Sequence, residues 1–472
     1  MWTHYGLTVL ISSITVVLAQ YQLGSAVKPS GHLAKRASLT QDVIRGVNLG
    51  GWLLTEEWIT PSVYTSDAAD EWHLCLDLGK KKCLSTLQDH WKSFFTRDDF
   101  EEIKEAGLNS LRIPIGYWAV DLQDDEPYVS GQYPYLIQAI NWARELGLTV
   151  LIDLHGAPGS QNGQDNSGLI GPTLFPTNTS NLDRTINVLK NLTSEFSQTD
   201  IYGDQTVIGI ELLNEPRLSN TFTMTQLKDF YTQASEAISG INTNMNIIMH
   251  DAFWGPQYWE NYDPLPSSSS SSTNNDQFII DTHQYYAFEP LNNLPHDIIL
   301  EKVCNISKIL KLTNQNMLPT IVGEWSLETG HSPNSSSSNL QNKNDNSQEK
   351  RTWFRLFFES QLAAYSPSSA TNTMNSGQNQ PSKGWYYWTW KTDYDIDTWS
   401  YRRGVQQGYI PKDVSNSSTY VFPILDNGCV DSTFNYTAPK KPGSSIGLVR
   451  YSPDWLLFII ASSFLAGFLC II

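Results

Sequence analysis

Basic residues are scarce in this chain: its 472 residues carry 31 Lys and Arg against 48 Asp and Glu, for a formal net charge of -17. No basic stripe interrupts that excess, so phosphate backbones would be repelled and nucleic acid is excluded as a partner. Cysteine is sparse as well, with five residues, one of which (Cys470) falls in an apolar C-terminal stretch. The remaining four, Cys75, Cys83, Cys304 and Cys429, form an even set with three possible connectivities, as suits an oxidising compartment. Internal repeats are missing beyond an alternation of short apolar runs and helical stretches. Aromatics, by contrast, are plentiful. Sixteen tryptophans exclude a long disordered protein and favour either a heavily packed interior or a surface that stacks on flat apolar faces.

Charge is also absent from both ends. Residues 1–19 read as a secretory signal, with an apolar stretch from Leu7 to Leu18 and small residues before the expected cleavage point. Residues 20–36 form a propeptide-like segment closed by the dibasic pair Lys35-Arg36. The last eighteen residues, "WLLFIIASSFLAGFLCII", carry no charge and are followed by no Lys or Arg. A retained membrane span normally has such a cytoplasmic anchor. Gly443-Ser444-Ser445 and a short spacer precede the tail, which is the layout of a GPI-attachment signal with Gly443 or Ser444 as the attachment residue. The expected order is therefore a globular domain over 37–435, a linker over 436–454 and a removable tail over 455–472. Asn-x-Ser/Thr acceptors at Asn178, Asn191, Asn305, Asn334, Asn416 and Asn435 are candidate surface glycans of a secreted protein.

Eight apolar runs read as strands: "VIRGVNLG", "LNSLRIPIG", "LTVLIDLHG", "TVIGIELLNEP", "MNIIMHD", "QFIIDTHQY", "LPTIVGEWS" and "GWYYWTWKT". Amphipathic patterns over 98–106, 135–146, 182–196, 226–238 and 351–365 predict helices between them. Strand alternating with helix eight times predicts an α/β fold, a (β/α)8 barrel with long loops. Serine- and asparagine-rich segments at 267–276, 333–347 and 366–383 cannot build a core and read as surface insertions.

Barrel enzymes place their reactive groups at the C-terminal ends of strands. Read there, the runs give Arg112, His155, Asn214-Glu215, His283 with Tyr285, Glu324, and Trp388. Each has a plain structural alternative when taken singly: an ion-pair partner, a satisfied histidine, a packing tryptophan. Together they describe a polar pocket. Two carboxylates from strands four and seven are what double-displacement glycoside hydrolysis requires, one acid and one nucleophile. Arg112 and Tyr285, if close to Glu324, would hold it ionised, leaving the less supported Glu215 with a raised pKa as the proton donor. Asn214 would bind the sugar 2-hydroxyl.

The segments "RGVNLGGWL", "LRIPIGYWA", "DLHGAPGSQNG", "IGIELLNEP", "HDAF", "VGEWS" and "WTWKT", in this order, closely resemble the fungal exo-β-1,3-glucanases of glycoside hydrolase family 5. The resemblance spans roughly residues 43–429 and implies a retaining enzyme with Glu215 as acid/base and Glu324 as nucleophile. It implies that Arg112, His155, Asn214, His283, Tyr285 and Trp388 surround the sugar being cleaved, and that Glu56 and Asp165 bind its non-reducing end. It further implies a disulfide between Cys304 and Cys429, which leaves Cys75 and Cys83 to pair locally. A second disulfide of the family has no counterpart in this chain. One more departure is local: many relatives have phenylalanine where this chain has Gln164, while the partner aromatic of that entrance clamp is present as Phe288.

The expected protein is a secreted, GPI-anchored glycosidase of the cell surface, monomeric and free of metal or cofactor, acting on β-glucan polysaccharide with release of glucose and transfer of glucosyl units. One rival keeps the fold and both glutamates with a preference for β-1,6-glucan or glucosyl lipid. Another is a non-catalytic glucan-binding wall protein.

Overall fold

The computed structural model describes residues 43–265, 277–292, 294–310, 317–329, 348–367 and 382–439. Eight parallel strands close into a barrel in sequence order: β1 (Ile44–Asn48), β2 (Ser110–Gly116), β3 (Thr149–Gly156), β4 (Val207–Glu211), β5 (Asn246–His250), β6 (Phe278–Gln284), β7 (Thr320–Trp325) and β8 (Ser382–Tyr387). β8 returns to pair with β1, placing Val47 opposite Tyr387. All eight predicted runs are strands of this barrel.

The described helices are α1 (Glu71–Ser93), α2 (Arg97–Glu105), α3 (Tyr133–Leu146), α4 (Thr179–Phe196), α5 (Thr199–Tyr202), α6 (Met224–Ser239), α7 (His296–Leu310), α8 (Gln348–Tyr365) and α9 (Tyr401–Gln407). Periodicity found α2, α3, α4, α6 and α8. It missed α1, whose pattern is broken where Gly79 takes φ of 70° and kinks the helix, and the two shortest, α5 and α9. α7 was missed too, although it follows the strand–helix alternation. Local chemistry marks two starts clearly. Thr223 and Gln226 make a reciprocal capping box at α6, and Thr96 with Asp99 does so at α2.

Inward-facing residues recur every second position along a strand, so the barrel interior is built in layers. The lowest layer is apolar: Ile44, Leu151, Ile208, Ile248, Ile279, Ile321 and Tyr386 pack as one buried cluster. Two residues farther along β3 and β6 stand Asp153 and Asp281, and two farther again His155 and His283, all buried. Apolar, acidic and imidazole layers thus follow from period two. The outer faces meet the helices; Trp325 packs against Phe358 and Tyr365 of α8.

β7 breaks the alternation once. Val322 lies opposite Thr282, but Glu324 lies opposite His283, so Gly323 is an extra residue. Such a bulge changes which face the following side chain meets. Without it Glu324 would share the outward face of Val322; with it, Glu324 points into the barrel mouth. The bulge leaves two backbone groups off the ladder. Asp281 Oδ1 accepts from the Gly323 N–H at 2.6 Å, and Asn48 Nδ2 donates to the Gly323 carbonyl at 2.8 Å. A methyl group at residue 323 would overlap the Asp281 carboxylate, which is why glycine stands there.

Disulfides join Cys75 to Cys83 and Cys304 to Cys429, the latter across 125 residues of sequence. The sequon residues Asn178, Asn191, Asn305, Asn416 and Asn435 are exposed. Asn334, Gly443, Ser444, Cys470, the segments 1–36 and 455–472, most of the linker, and nearly all of the three predicted insertions lie outside the described residues. Among the described residues no helix is long and apolar enough to cross a membrane.

Candidate active site

Arg112 is the hub of the barrel mouth. It lies in the middle of β2 rather than at its end, and its guanidinium is fully buried. Its Nη1 donates to Glu324 Oε1 at 2.9 Å and to Asn48 Oδ1 at 3.0 Å; Nη2 donates to Asn214 Oδ1 at 2.8 Å; Nε donates to Glu211 Oε2 at 2.9 Å. Asp153 Oδ2 lies 3.1 Å from Nη2. Acidic neighbours raise the already high pKa of this group against the cost of burial.

Glu324 also accepts a hydrogen bond from the Tyr285 hydroxyl at 2.7 Å, so both expected supports are in place. Glu215 is not the less supported carboxylate. It follows β4 on a left-handed backbone, with φ of 46°, and both its oxygens are engaged. Oε1 lies 2.7 Å from His283 Nδ1, and Oε2 accepts from Asn166 Nδ2 at 2.7 Å. His283 Nδ1 is also 3.4 Å from Glu324 Oε2.

The electrostatics correct the expected order of the two glutamates. Burial pushes Glu215 upward, but the hydrogen bond and charge of His283 outweigh it and hold the carboxyl below its ordinary value. Burial raises Glu324, and the charges of His283 and Arg112 offset this only in part. His283 is itself raised well above the ordinary imidazole value, because Glu324, Asp281 and Glu215 overcome the cost of burying its charge. These directions favour a proton on His283 over one on Glu215.

The other expected residues gather around this core. His155 Nδ1 is 2.5 Å from Asp153 Oδ2, its Nε2 is 3.4 Å from Asn214 Nδ2, and its ring stacks nearly parallel to Trp388 at 5.5 Å. Glu56 is buried; Oε2 accepts from Trp58 Nε1 at 2.9 Å, while Oε1 has no hydrogen-bond partner among the described residues. Burial and the neighbouring Asp165 push the Glu56 carboxyl well up. Asp165 opens a short 3-10 turn and is raised by partial burial. Phe288 stands exposed beside Tyr285, and Gln164 is exposed as well.

The sequence reading omitted several residues that the fold brings to this site. Asn48, Asp153, Glu211 and Asp281 form the buried layer beneath it, Asn166 holds Glu215, and Trp58 and Trp399 add an aromatic wall, their rings 5.0 Å apart. His250 lies 4.4 Å from the His283 ring. A signal was present for the acids: each interrupts an otherwise apolar strand, and unpaired buried carboxylates are costly.

The chain as a whole is similar to known proteins. Residues 76–393 match the family described as Cellulase (glycosyl hydrolase family 5). The chain is 35% identical over 404 residues to "Probable glucan 1,3-beta-glucosidase A" of Aspergillus fumigatus, covering 79% of this chain and 88% of that protein. It is 36% identical over 422 residues to "Glucan 1,3-beta-glucosidase" of Kluyveromyces lactis, covering 80% and 92% respectively. The solved structure of a rutinosidase from Aspergillus niger aligns with a TM-score of 0.62 at 22% identity, over 78% of this chain and 98% of that one, a likeness of fold. With a half-buried glutamate just beyond the fourth strand and a buried one at the end of the seventh strand of an eightfold barrel, and a family match across two thirds of its length, this chain is a glycoside hydrolase and belongs to glycosyl hydrolase family 5.

Proposed function

We propose that the chain is a retaining exo-β-1,3-glucanase in which Glu324 is the nucleophile and Glu215 the acid/base. The observation that carries this reading is the shared histidine. One nitrogen of His283 lies 2.7 Å from a Glu215 oxygen and 3.4 Å from a Glu324 oxygen. Those two oxygens can be no farther apart than the two distances laid end to end, which falls short of the roughly 6.5 Å at which inverting pairs begin.

The chemistry proceeds in two displacements. Glu324 attacks the anomeric carbon as the glycosidic C–O bond breaks, and the leaving oxygen takes a proton from Glu215, which draws it along the short bond from His283. A glucosyl ester on Glu324 results. Water, giving its proton to Glu215, then attacks the same carbon and frees glucose with the original configuration. Arg112 and Tyr285 hold Glu324 in line. Asn214 has its oxygen occupied by Arg112 and its nitrogen 3.4 Å from His155 Nε2, which leaves one amide hydrogen for a sugar hydroxyl.

An exo mode is supported by Glu56, whose buried, unpartnered Oε1 suits the hydroxyl donors of a terminal glucose. Linkage is carried by the likeness to proteins named glucan 1,3-beta-glucosidase. An alternative acceptor in place of water gives transfer of the glucosyl unit. Secretion, GPI attachment at Gly443 or Ser444, glycans at the exposed sequons, a monomeric state and action on wall β-glucan belong to the same proposal. Assay of linkage-defined glucosyl oligosaccharides tests it: glucose release is expected to be fastest from β-1,3-linked chains, and faster turnover of β-1,6-linked chains would overturn the linkage.

A further inference from the structure

One guanidinium serves four buried carboxylates: Glu324 of the proposed catalytic pair and three that lie below it. Asp153, Glu211 and Glu324 lie within 3.1 Å of Arg112 nitrogens, and Asp281 Oδ2 is 3.9 Å from Nε. Asp281 is the outlying member, and it also meets Gly323 and His283. Its Oδ1 accepts from Gly323, the bulge residue that turns Glu324 inward. Its Oδ2 is 3.6 Å from His283 Nε2. Neither Asp281 Oδ2 nor His283 Nε2 has a hydrogen bond to another described residue, although both are fully enclosed. A buried imidazole with carboxylates at both nitrogens is held doubly protonated, because each carboxylate favours an N–H facing it.

We propose that Asp281 is a positioning residue for both glutamates: its carboxylate anchors the β7 bulge that presents Glu324, and keeps a proton on His283 so that Nδ1–H faces Glu215. This rests on the assignment of Glu215 and Glu324 given above. The other groups facing His283 are Glu215 from the segment after β4, Glu324 from β7, Glu211 from β4, His250 from β5, Asp251 just after β5, and Tyr285 beyond β6. His250 adds no positive charge in competition: burial holds it well below the ordinary imidazole value, and its Nδ1 accepts from the Ala252 N–H at 3.0 Å. Among the described residues Asp281 is the carboxylate within 4.0 Å of Nε2, while Nδ1 faces Glu215 and Glu324.

The two functions separate in two variants. Asp281→Asn keeps an oxygen for the Gly323 N–H but removes the negative charge beside His283. The pair His283–Glu215 then binds its proton less tightly, so the alkaline limb of the kcat/KM profile on a β-1,3-oligosaccharide should move to lower pH by about one unit or more. Trapping of the enzyme by a 2-deoxy-2-fluoroglucosyl fluoride, whose leaving group needs little acid help, should stay within a few-fold of the parent. Asp281→Ala removes the anchor too, and trapping should fall about tenfold or more. An unmoved alkaline limb in Asp281→Asn overturns the proposal. Should that variant fail to fold, nitrogen NMR of His283 in the unaltered protein decides, with the signal assigned by its loss in His283→Gln: both ring nitrogens protonated supports the proposal, and a neutral ring at neutral pH overturns it. Activity surviving in Glu324→Gln would instead defeat the parent assignment.

Discussion

Glu215 Oε1 and His283 Nδ1 stand 2.7 Å apart, and this bond joins the end of the fourth strand to the sixth. A hydrogen bond of that length between an acid and a base lets one proton serve either group as the substrate demands. The two glutamates should therefore fail in different ways. Glu324→Gln removes the atom that forms the glucosyl ester, and turnover of every β-glucoside should vanish. Glu215→Gln should lose about 10²- to 10⁴-fold on oligosaccharides, whose leaving groups need protonation, and far less on an activated aryl glucoside in the glucosylation step. Steady-state and burst kinetics on the two substrates check this; equal losses on both would contradict it.

The pH profile of the unaltered enzyme carries a second expectation. Glu324 must be ionised to attack, and burial raises its carboxyl above the ordinary glutamate value. Activity should accordingly rise with pH through a limb lying above the usual carboxylate range, then fall as the His283–Glu215 pair loses its proton. An acid limb at the value of an exposed glutamate would show that Glu324 is better charged in the fold than its surroundings imply.

Much of this was legible in the sequence, because the barrel follows from repetition: eight apolar runs of similar length cannot be mistaken for isolated helices when five of them precede an amphipathic stretch. Reading the ends of those runs found Glu215, Glu324, His155 and His283. Support around Glu215 was not legible. Asn166 reaches it from a turn after β3, 49 residues away in sequence, and no local pattern announces such a contact. The bulge at Gly323 had a faint signal, a glycine inside a strand. Its consequence, that Glu324 faces inward beside His283, needs the register of the neighbouring strand. The burial of Asp153, Glu211 and Asp281 around a single arginine is likewise a property of closure, since those residues come from three different strands.

Gln164 offers a test at the entrance. Phe288 is 59% exposed, so a sugar can stack on it, and an aromatic at 164 would supply a second flat face. Gln164→Phe should tighten binding of longer β-1,3-oligosaccharides by about 0.5–1.5 kcal/mol and raise the ratio of transfer to hydrolysis, with little effect on a small aryl glucoside. Inhibition constants of oligosaccharides of increasing length measure it. No change with Gln164→Phe, together with damage from Phe288→Ala, would mean that another ring already fills the position.

Two buried groups give stability opposite slopes in acid. His90 donates from Nε2 to the Gly51 carbonyl at 2.8 Å, and burial lowers its pKa from 6.5 to about 4. Folding therefore favours neutral His90, and that stability is lost as pH falls from 6.5 towards 4, by about 3 kcal/mol. Glu71 accepts from Thr55 and Trp118, yet burial raises it from 4.5 to about 7. Its ionised form is disfavoured in the fold, so stability rises as pH falls from 7 to 4.5, by a similar amount of about 3 kcal/mol. The two offset one another. His90→Gln can keep the bond to Gly51 and lose the titration, so denaturant midpoints of this variant should show a gain of about 2–3 kcal/mol relative to the parent between pH 6.5 and 4.5. Parallel curves for variant and parent would contradict the assignment.

The most direct measurement is the anomeric form of the first glucose released from laminaritriose, followed by proton NMR before mutarotation sets in. Double displacement through Glu324 predicts β-glucose, appearing first and accompanied by laminaribiose from the reducing end. First-formed α-glucose would mean a single displacement by water, and would contradict the assignment of Glu324 as nucleophile and of Glu215 as its acid/base partner.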